Sequence, residues 1–410
     1  MSQASFIHKE RLHVNLVKAV IQALQQIFAD GKYSDTVVKN LLKSNPKWGS
    51  KDRKFLAETV YEIVRWWRKL WMIYGKEASL SDSDLFNVIG IYLNLHGHEL
   101  PQWKELESIR NVNFEDRIRR AEHNRVLRES IPDWLDELGT KELGGKWEKE
   151  LHELNKPAPV IIRVNTLKVP RAKAQQALKA EDVESAVVPN HPDALQLDVR
   201  KNIFRTKAFF DGWFEVQDSS SQEVAYFLDI KPGMRVIDAC AGAGGKTLHM
   251  AAIMQNKGKI IALDLHEWKL KELQKRASRA GINIIESRPI TSAKVIKRLE
   301  NSAERVLLDV PCTGLGVLRR SPDIKWKLDL QGVERIKQQQ LQIITSYSNM
   351  LKVGGRMVYA TCSILPSENE GIVSAFLAEK SEFKKVAENK ILPSQSGQDG
   401  FYMAAIERTA

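Results

Sequence analysis

The sequence predicts a multidomain protein with an all-α N-terminal domain, a small α+β module and a larger α/β domain, expected at residues 1–154, 155–215 and 216–410. Its 410 residues exceed what one hydrophobic core usually supports. Helical spacing of apolar residues continues to about Leu154, and the composition then changes at Asn155-Lys156-Pro157-Ala158-Pro159. From Gln217 onward, strand and helix patterns alternate, which is typical of a doubly wound sheet.

The N-terminal domain contains two clear amphipathic patterns. The first predicts a helix from Leu12 to Ile27, and the second a helix from about Lys51 to Tyr74. Ser50 is a candidate N-cap of the second helix, and Gly75 is placed to end it. Strand patterns are few before residue 154, so we expect this domain to be all-α.

The two later domains contain β-rich runs at regular intervals. In the small module, a helix is predicted over Arg171–Ala180 and strands over Val160–Val164, Ser185–Val188 and Leu195–Leu197. In the α/β domain, strands are predicted over Arg235–Asp238, Lys259–Asp264, Ile282–Glu286, Arg305–Val310, Arg356–Thr361 and Phe401–Ile406. Ligands of such sheets bind outside the carboxyl ends of the strands, so the residues that follow each strand are the ones to inspect.

Composition narrows the class of protein. The 62 basic residues exceed the 51 acidic ones, and the net charge of +11 favours a polyanionic partner such as RNA, although many basic proteins bind no nucleic acid. The 3 cysteines are widely spaced, so neither a disulfide framework nor a metal site is expected. Lys9, Glu10 and Arg11 interrupt any signal-peptide core, and no stretch reaches membrane-spanning length, so we expect a cytoplasmic protein.

A glycine-rich turn runs from Asp238 to Thr247, between a predicted strand and a helix. A P-loop would need glycine at Cys240, and a dinucleotide fingerprint would need glycine at Thr247, so both nucleotide interpretations are weakened. An S-adenosylmethionine pocket remains. Asp264 ends the next strand, where an acid would bind the ribose hydroxyls. Cys240 is expected to be a packing residue of the turn.

Two of the thiols follow neighbouring strands. Cys312 comes after the fourth strand of the α/β domain and Cys362 after the fifth, so both should border the transferred methyl group. A packing role for both thiols together is therefore disfavoured.

At these residues the chain resembles the bacterial RNA 5-methylcytosine methyltransferases of the Sun (also Fmu or RsmB) family, which modify small-subunit ribosomal RNA. The motifs that carry the resemblance are Val216-Gln217-Asp218-Ser219-Ser220-Ser221-Gln222, the turn Asp238–Thr247, Asp309-Val310-Pro311-Cys312, Arg319-Arg320-Ser321-Pro322-Asp323-Ile324-Lys325-Trp326 and Thr361-Cys362-Ser363.

The resemblance implies a NusB-like helical domain, a small RNA-binding module and a Rossmann-like class I methyltransferase domain. It implies S-adenosylmethionine as cofactor, bound by Cys240, Ala241, Gly242, Ala243, Gly244, Gly245, Lys246, Asp264, Thr291 and Asp309. Relatives usually have an aspartate where this chain has Pro289-Ile290-Thr291-Ser292. Thr291 is expected to bind the adenine less strongly than a carboxylate would.

The resemblance also assigns the chemistry. Cys362 is implied as the thiol that adds to C6 of cytosine, and Cys312 as the thiol that assists product release. Asp309 is placed to bind N3 or the exocyclic amine of the base. Three basic residues are expected to hold RNA phosphates: Arg319, Arg320 and Lys325.

The expected activity is therefore methylation of a cytosine C5 in RNA, with 16S ribosomal RNA as the favoured substrate because the chain ends without the PUA domain of some relatives. Three alternatives stay open: a transfer-RNA cytosine methyltransferase, a non-catalytic RNA-binding ribosome-assembly protein, and a P-loop nucleotide hydrolase. No metal and no membrane partner are expected, and the chain is expected to be a monomer.

Overall fold

A computed structural model describes residues 12–410, so the stretch that ends at Arg11 and its expected lack of a signal peptide lie outside the described residues. The chain forms two compact units. The first contains the chain up to Lys156 together with Leu318–Leu330, and the second contains Pro157–Val317 and Gln331–Ala410.

Helices make up the first unit and alternate with strands in the second. In chain order the helices are α1 Val14–Phe28, α2 Ser34–Ser44, α3 Ser50–Arg65, α4 Trp67–Tyr74, α5 Asp82–Leu95, α6 Glu115–His123, α7 Arg125–Arg128, α8 Asp133–Leu143, α9 Trp147–Leu154, α10 Arg171–Ala180, α11 Lys207–Phe210, α12 Ser219–Phe227, α13 Gly245–Ile253, α14 Glu267–Ala280, α15 Ala293–Lys297, α16 Ile324–Lys327, α17 Leu330–Tyr347, α18 Glu370–Glu379 and α19 Pro393–Ser396. The first unit holds α1–α9 and α16. None of these helices is long and apolar enough to cross a membrane.

The first unit confirms the all-α prediction, with one correction. Helix α1 buries its apolar face as expected, but the predicted second helix is two helices, α3 and α4, separated at Trp66. Ser50 is the first helical residue and not the cap; Gly49 occupies the cap position and its N–H donates to Asp52. Gly75 ends α4 with a φ of +78°, as its lack of a Cβ allows.

The strands belong to two sheets, both in the second unit. In chain order they are β1 Val160–Val164, β2 Ser185–Val187, β3 Ala194–Leu197, β4 Phe214–Val216, β5 Arg235–Asp238, β6 Lys259–Asp264, β7 Ile285–Pro289, β8 Ala303–Asp309, β9 Leu351–Thr361, β10 Phe383–Ile391 and β11 Phe401–Arg408. The small sheet has the order β2-β3-β1-β4 and is antiparallel throughout. Because β4 extends to Val216, this sheet continues past the boundary expected at residue 215.

The large sheet has the order β10-β11-β9-β8-β5-β6-β7. Strands β7, β6, β5, β8 and β9 are parallel, and β11 pairs antiparallel with both β9 and β10. Both faces of the central strands are buried, which explains their nearly continuous apolar sequences. The carboxyl ends of β5, β6, β8 and β9 are Asp238, Asp264, Asp309 and Thr361, and the parallel pairing brings them to one edge of the sheet.

Candidate active site

The turn after β5 connects directly to α13. Gly242 and Gly244 have φ values of +55° and +89°, a backbone conformation that other residues rarely adopt. The first intrahelical hydrogen bond of α13 runs from Leu248 N to Gly244 O over 2.9 Å, which leaves the amides of the first helical turn available to a ligand. A Cβ on Gly242 would meet no protein atom within 4 Å, so this side of the turn is open to a ligand.

Two carboxyl groups hold the turn from the ends of β5 and β6. Asp264 accepts a hydrogen bond from Gly242 N at 2.9 Å and another from His266 N at 2.8 Å. Asp238 accepts from Thr247 Oγ1 at 2.7 Å, and burial raises the pKa of Asp238 to about 7. Asp264 therefore stays close to the turn with lone pairs to spare for a hydroxyl, whereas Asp238 is structural.

The first cysteine, Cys240, lies within this turn. Burial raises the pKa of its thiol well above the ordinary value, and the carboxyl of Asp238 adds to the increase. A protonated thiol suits the packing role that we expect for Cys240.

Lys246 connects the turn to the end of β8. Its Nζ is 2.7 Å from Asp309 Oδ2 and lies 4.9 Å from the centre of the Phe401 ring. The two charged side chains are mostly covered, with 13% and 29% of their surface exposed. Asp309 is thus fixed beside the turn with part of its carboxylate accessible.

The other two thiols lie together, as their strand positions predict. The Sγ atoms of Cys312 and Cys362 are 3.3 Å apart, and both residues are half-buried. The hydrogen bond to Cys362 raises the pKa of the Cys312 thiol well above its usual value, and burial acts in the same direction. The raised pKa favours a protonated Cys312 thiol.

A buried carboxylate supports both cysteine loops. Glu368 is fully buried and accepts hydrogen bonds from Thr313 N at 2.9 Å, Gln340 Nε2 at 2.9 Å and the hydroxyls of Thr313 and Ser363. Thr313 follows Cys312, and Ser363 follows Cys362. Sequence reasoning missed Glu368; the polar run Pro366-Ser367-Glu368-Asn369 shortly after the cysteine motif was the available signal.

Thr291 follows β7 and is exposed, two residues beyond the strand end at Pro289. The preceding residue, Ile290, donates its N–H to Asp264 O over 2.9 Å, which places this loop next to the acid that ends β6. The structure thus puts Thr291 on the correct edge of the sheet for a contact with a nucleoside.

The predicted phosphate-binding residues lie in the segment Leu318–Leu330 of the first unit. Lys325 is 1% exposed, and its Nζ donates to Arg65 O at 2.8 Å. Burial lowers the pKa of Lys325 well below its ordinary value. The expectation that Lys325 holds a phosphate is corrected, because its amine is enclosed in the helical core. Arg319 is also buried at 4% exposure, and Arg320 is half-buried.

Among residues 12–410, no group of three or more histidine, cysteine or acidic side chains is arranged to hold a metal ion. The donors at the carboxyl edge match S-adenosylmethionine instead: open backbone amides, a glycine that leaves space, and an acid at the end of the second strand. The residues present therefore fit this cofactor.

A mixed Rossmann-like sheet, parallel from β7 to β9, with such a pocket defines a methyltransferase. A family profile described as 16S rRNA methyltransferase RsmB/F matches residues 225–407, and a second, described as the ferredoxin-like domain of RsmF/B-like methyltransferases, matches residues 131–203. The chain belongs to the RsmB/F family of 16S rRNA methyltransferases, and its small antiparallel sheet lies largely in the ferredoxin-like domain.

Several known proteins are similar over long stretches. The ribosomal RNA small subunit methyltransferase B of Pseudomonas syringae pv. tomato is 31% identical over 309 residues, which cover 70% of this chain and 68% of that protein. The probable methyltransferase B of Bacillus subtilis is 28% identical over 95% of this chain and 97% of its own length.

Solved structures share the fold. The crystal structure of PH0851 covers 98% of this chain and all of its own, with a TM-score of 0.82 and 26% identity. The structure of NSun6 from Pyrococcus horikoshii with SFG has a TM-score of 0.63, covers 69% of this chain and 99% of its own, and is 23% identical, which shows the fold alone.

Proposed function

We propose that this protein methylates C5 of a specific cytosine in 16S ribosomal RNA, with S-adenosylmethionine as methyl donor and a covalent bond between Cys362 and C6 of the base. The observation that carries the proposal is the pair of thiols, 3.3 Å apart, at the same sheet edge as the glycine-rich turn. Methylation of a nitrogen or oxygen requires no nucleophilic thiol, whereas C5 of cytosine is too weak a nucleophile to react without one.

The cofactor would be held by the turn from Cys240 to Lys246, by Asp264 at the ribose and by Thr291 near the adenine. When bound, S-adenosylmethionine supplies an electrophilic methyl group. The open space beside Gly242 and the amides at the start of α13 support this assignment.

Cys362 begins the reaction as a thiolate. Its Sγ forms a bond to C6, and the C5–C6 π electrons move to C5, which becomes able to accept the methyl group. Once C5 carries the methyl group, a water molecule takes the C5 proton and the C–H electron pair restores the C5–C6 double bond. The bond between Sγ and C6 then breaks, and its electron pair returns to sulfur. With its Sγ 3.3 Å from that of Cys362, the Cys312 thiol is placed to stabilise the departing thiolate through a hydrogen bond and to assist release.

Asp309 supplies the electrostatic part of the mechanism. Its partly exposed carboxyl group would accept a hydrogen bond from the exocyclic amine of the cytosine or, in its protonated form, donate one to N3, where the negative charge develops as sulfur adds. Lys246 keeps that carboxylate in position through the 2.7 Å ion pair.

RNA binding is assigned to the remaining domains. We propose that the helical unit is NusB-like and that it binds RNA together with the ferredoxin-like module, with Arg320 as a phosphate contact; the buried Arg319 would reach RNA no better than Lys325 does. The names of the relatives from Pseudomonas syringae and Bacillus subtilis support ribosomal RNA of the small subunit as the substrate. The reaction needs access to C6, so the target cytosine is unpaired or flipped out of the stack.

The test compares three cysteine variants, each incubated with S-adenosylmethionine and 16S ribosomal RNA. On a denaturing gel, Cys312→Ala should accumulate a covalent protein–RNA adduct, and Cys362→Ala should give neither adduct nor methylation. Cys240→Ala, the control for loss of a thiol outside the pair, should give no adduct. An adduct in Cys362→Ala but not in Cys312→Ala would reverse the two roles. Methylation of transfer RNA but not of ribosomal RNA by the unmutated protein would replace the proposed substrate.

A further inference from the structure

We infer that the small antiparallel sheet β2-β3-β1-β4 is part of the cofactor site: Arg163 of β1, and Glu215 of β4 acting through Arg276 of α14, hold the glycine-rich turn in the shape that binds S-adenosylmethionine. The inference rests on the cofactor proposed above. These residues act through the turn and are positioning residues, not catalytic ones.

The first connection starts from β1. Arg163 is 3% exposed, and its Nη1 donates to Gly245 O at 2.6 Å and to the side chain of Gln217. Burial lowers the pKa of Arg163 to about 10, so the guanidinium still carries its charge at neutral pH. A buried cation is costly unless it is paired or hydrogen-bonded, so these acceptors hold it in one orientation.

The second connection starts from β4. The carboxylate of Glu215, 9% exposed, lies 3.0 Å from Arg276 Nη2 and also pairs with Arg279. Arg276 Nη1 donates to Ala243 O at 2.6 Å. The acid of the small sheet therefore fixes the arginine, and the arginine fixes the turn.

Peptide geometry transmits these contacts to backbone amides of the turn and of the start of α13. In a trans peptide the carbonyl and the following N–H point in opposite directions. The bond from Arg163 to Gly245 O therefore orients the N–H of Lys246, in the first turn of α13. The bond from Arg276 to Ala243 O orients the N–H of Gly244, which donates to Ala241 O over 2.9 Å. The turn is thus organised before a ligand arrives, which reduces the entropy lost on binding.

Two arginines of the same helix provide a matched test. Arg276 and Arg279 have 20% and 22% of their side chains exposed, and both pair with Glu215. Only Arg276 donates its side chain to the turn, whereas Arg279 packs on the Phe209 ring, 3.9 Å from its centre. If the substitutions weakened cofactor binding only by destabilising the fold, Arg279→Met would therefore weaken it at least as much as Arg276→Met.

The measurements are the Kd for S-adenosylmethionine, by calorimetry, and hydrogen exchange of the turn amides. We expect Arg276→Met to raise the Kd about tenfold, the usual effect of one charge-assisted hydrogen bond, and Arg279→Met to change it less than about twofold. Exchange at residues 243–247 should accelerate in Arg276→Met only. Arg276→Lys, whose amine can reach one acceptor but not both, should have a Kd between those of the two methionine variants. In Arg276→Met, the KM for the cofactor should rise while kcat stays near that of the unmutated protein.

Glu215→Gln gives a second, size-conserving variant and should raise the Kd less than Arg276→Met does. Equal Kd values in Arg276→Met and Arg279→Met would overturn the inference while leaving the proposed function in place. An unmutated protein that binds no S-adenosylmethionine would overturn the proposed cofactor, and the inference with it.

Discussion

Replacement of Glu368 should separate the support of the two cysteine loops from their chemistry. The carboxylate accepts from four donors, two on each oxygen: Thr313 N and Gln340 Nε2 on one, and the hydroxyls of Thr313 and Ser363 on the other. Glu368→Ala would leave these buried donors without their acceptor, and Glu368→Gln would keep the shape but remove the charge.

The expected losses of stability depend on which of the four donors can find another hydrogen-bond partner. In Glu368→Gln the new NH2 group can face the two hydroxyls, which rotate to accept from it, while the amide oxygen still accepts from Thr313 N and Gln340. The cost is the weakening of charged bonds to neutral ones, about 1–2 kcal/mol. In Glu368→Ala no rotation helps Thr313 N or Gln340, and we expect a loss of about 3–5 kcal/mol.

Unfolding in urea, monitored through hydrogen exchange of the β9 amides, would measure this loss of stability close to the site. Methylation of 16S ribosomal RNA would report the chemistry. We expect kcat to fall in Glu368→Ala because the buried acceptor that the two sulfur-bearing loops share is then lost. Glu370→Ala is the control, since Glu370 pairs with Lys390 near the surface and should contribute less than about 1 kcal/mol. A Glu368→Ala protein as stable and active as the Glu370→Ala protein would refute the reasoning.

Three further outcomes are expected. Burial raises the pKa of Asp238 from 3.8 to about 7, so the stability that this group contributes is full below pH 3.8 and is lost as the pH rises through 7. Asp238→Asn should remove this pH dependence from a plot of unfolding free energy against pH. Burial lowers the pKa of Lys325, so the stability that this group contributes is present above pH 10.5 and is lost at lower pH. Lys325→Met should therefore raise the melting temperature of the helical unit at pH 7 by a few degrees. The same variant should leave RNA affinity unchanged in a filter-binding assay. Thr291→Asp should lower the Kd for S-adenosylmethionine about three- to tenfold in calorimetry, whereas Ser292→Asp should not.

The strands that could be predicted are those whose apolar sequence reflects burial on both faces. The bounds of β5 and β6 agree with the prediction residue for residue. Strand β10 was missed because only its ends, Phe383 and Ile391, are buried, while charged residues occupy the middle of this edge strand. Strand β4, Phe214–Val216, was missed as well. Register and termini depend on partners that are distant in sequence.

The same limit applies to the site. Cys312 and Cys362 could be placed together because parallel strands bring their carboxyl ends to one edge. Glu368 could not, because a buried acid is recognised by its donors, and these come from three separate segments. The burial of Lys325 was missed for a related reason: a lysine in a basic motif has the same sequence signature whether it is exposed or buried. Its burial is visible only in the structure, where the carbonyl of Arg65 accepts a hydrogen bond from the amine.

The ion pair between Lys246 and Asp309 links the two halves of the proposed chemistry. Lys246 belongs to the cofactor turn after β5, and Asp309 ends β8, the strand that lies between β5 and the strand of Cys362. A carboxylate that binds cytosine must share its charge between the base and the lysine. Lys246 contacts Oδ2, which leaves Oδ1 for the base, so a cytosine bound to Asp309 would lie beside the turn that is proposed to hold the methyl donor. Asp309→Asn should therefore weaken base binding and loosen Lys246 together, whereas Lys246→Met should leave the Asp309 side chain unaligned, which lowers kcat more than RNA affinity.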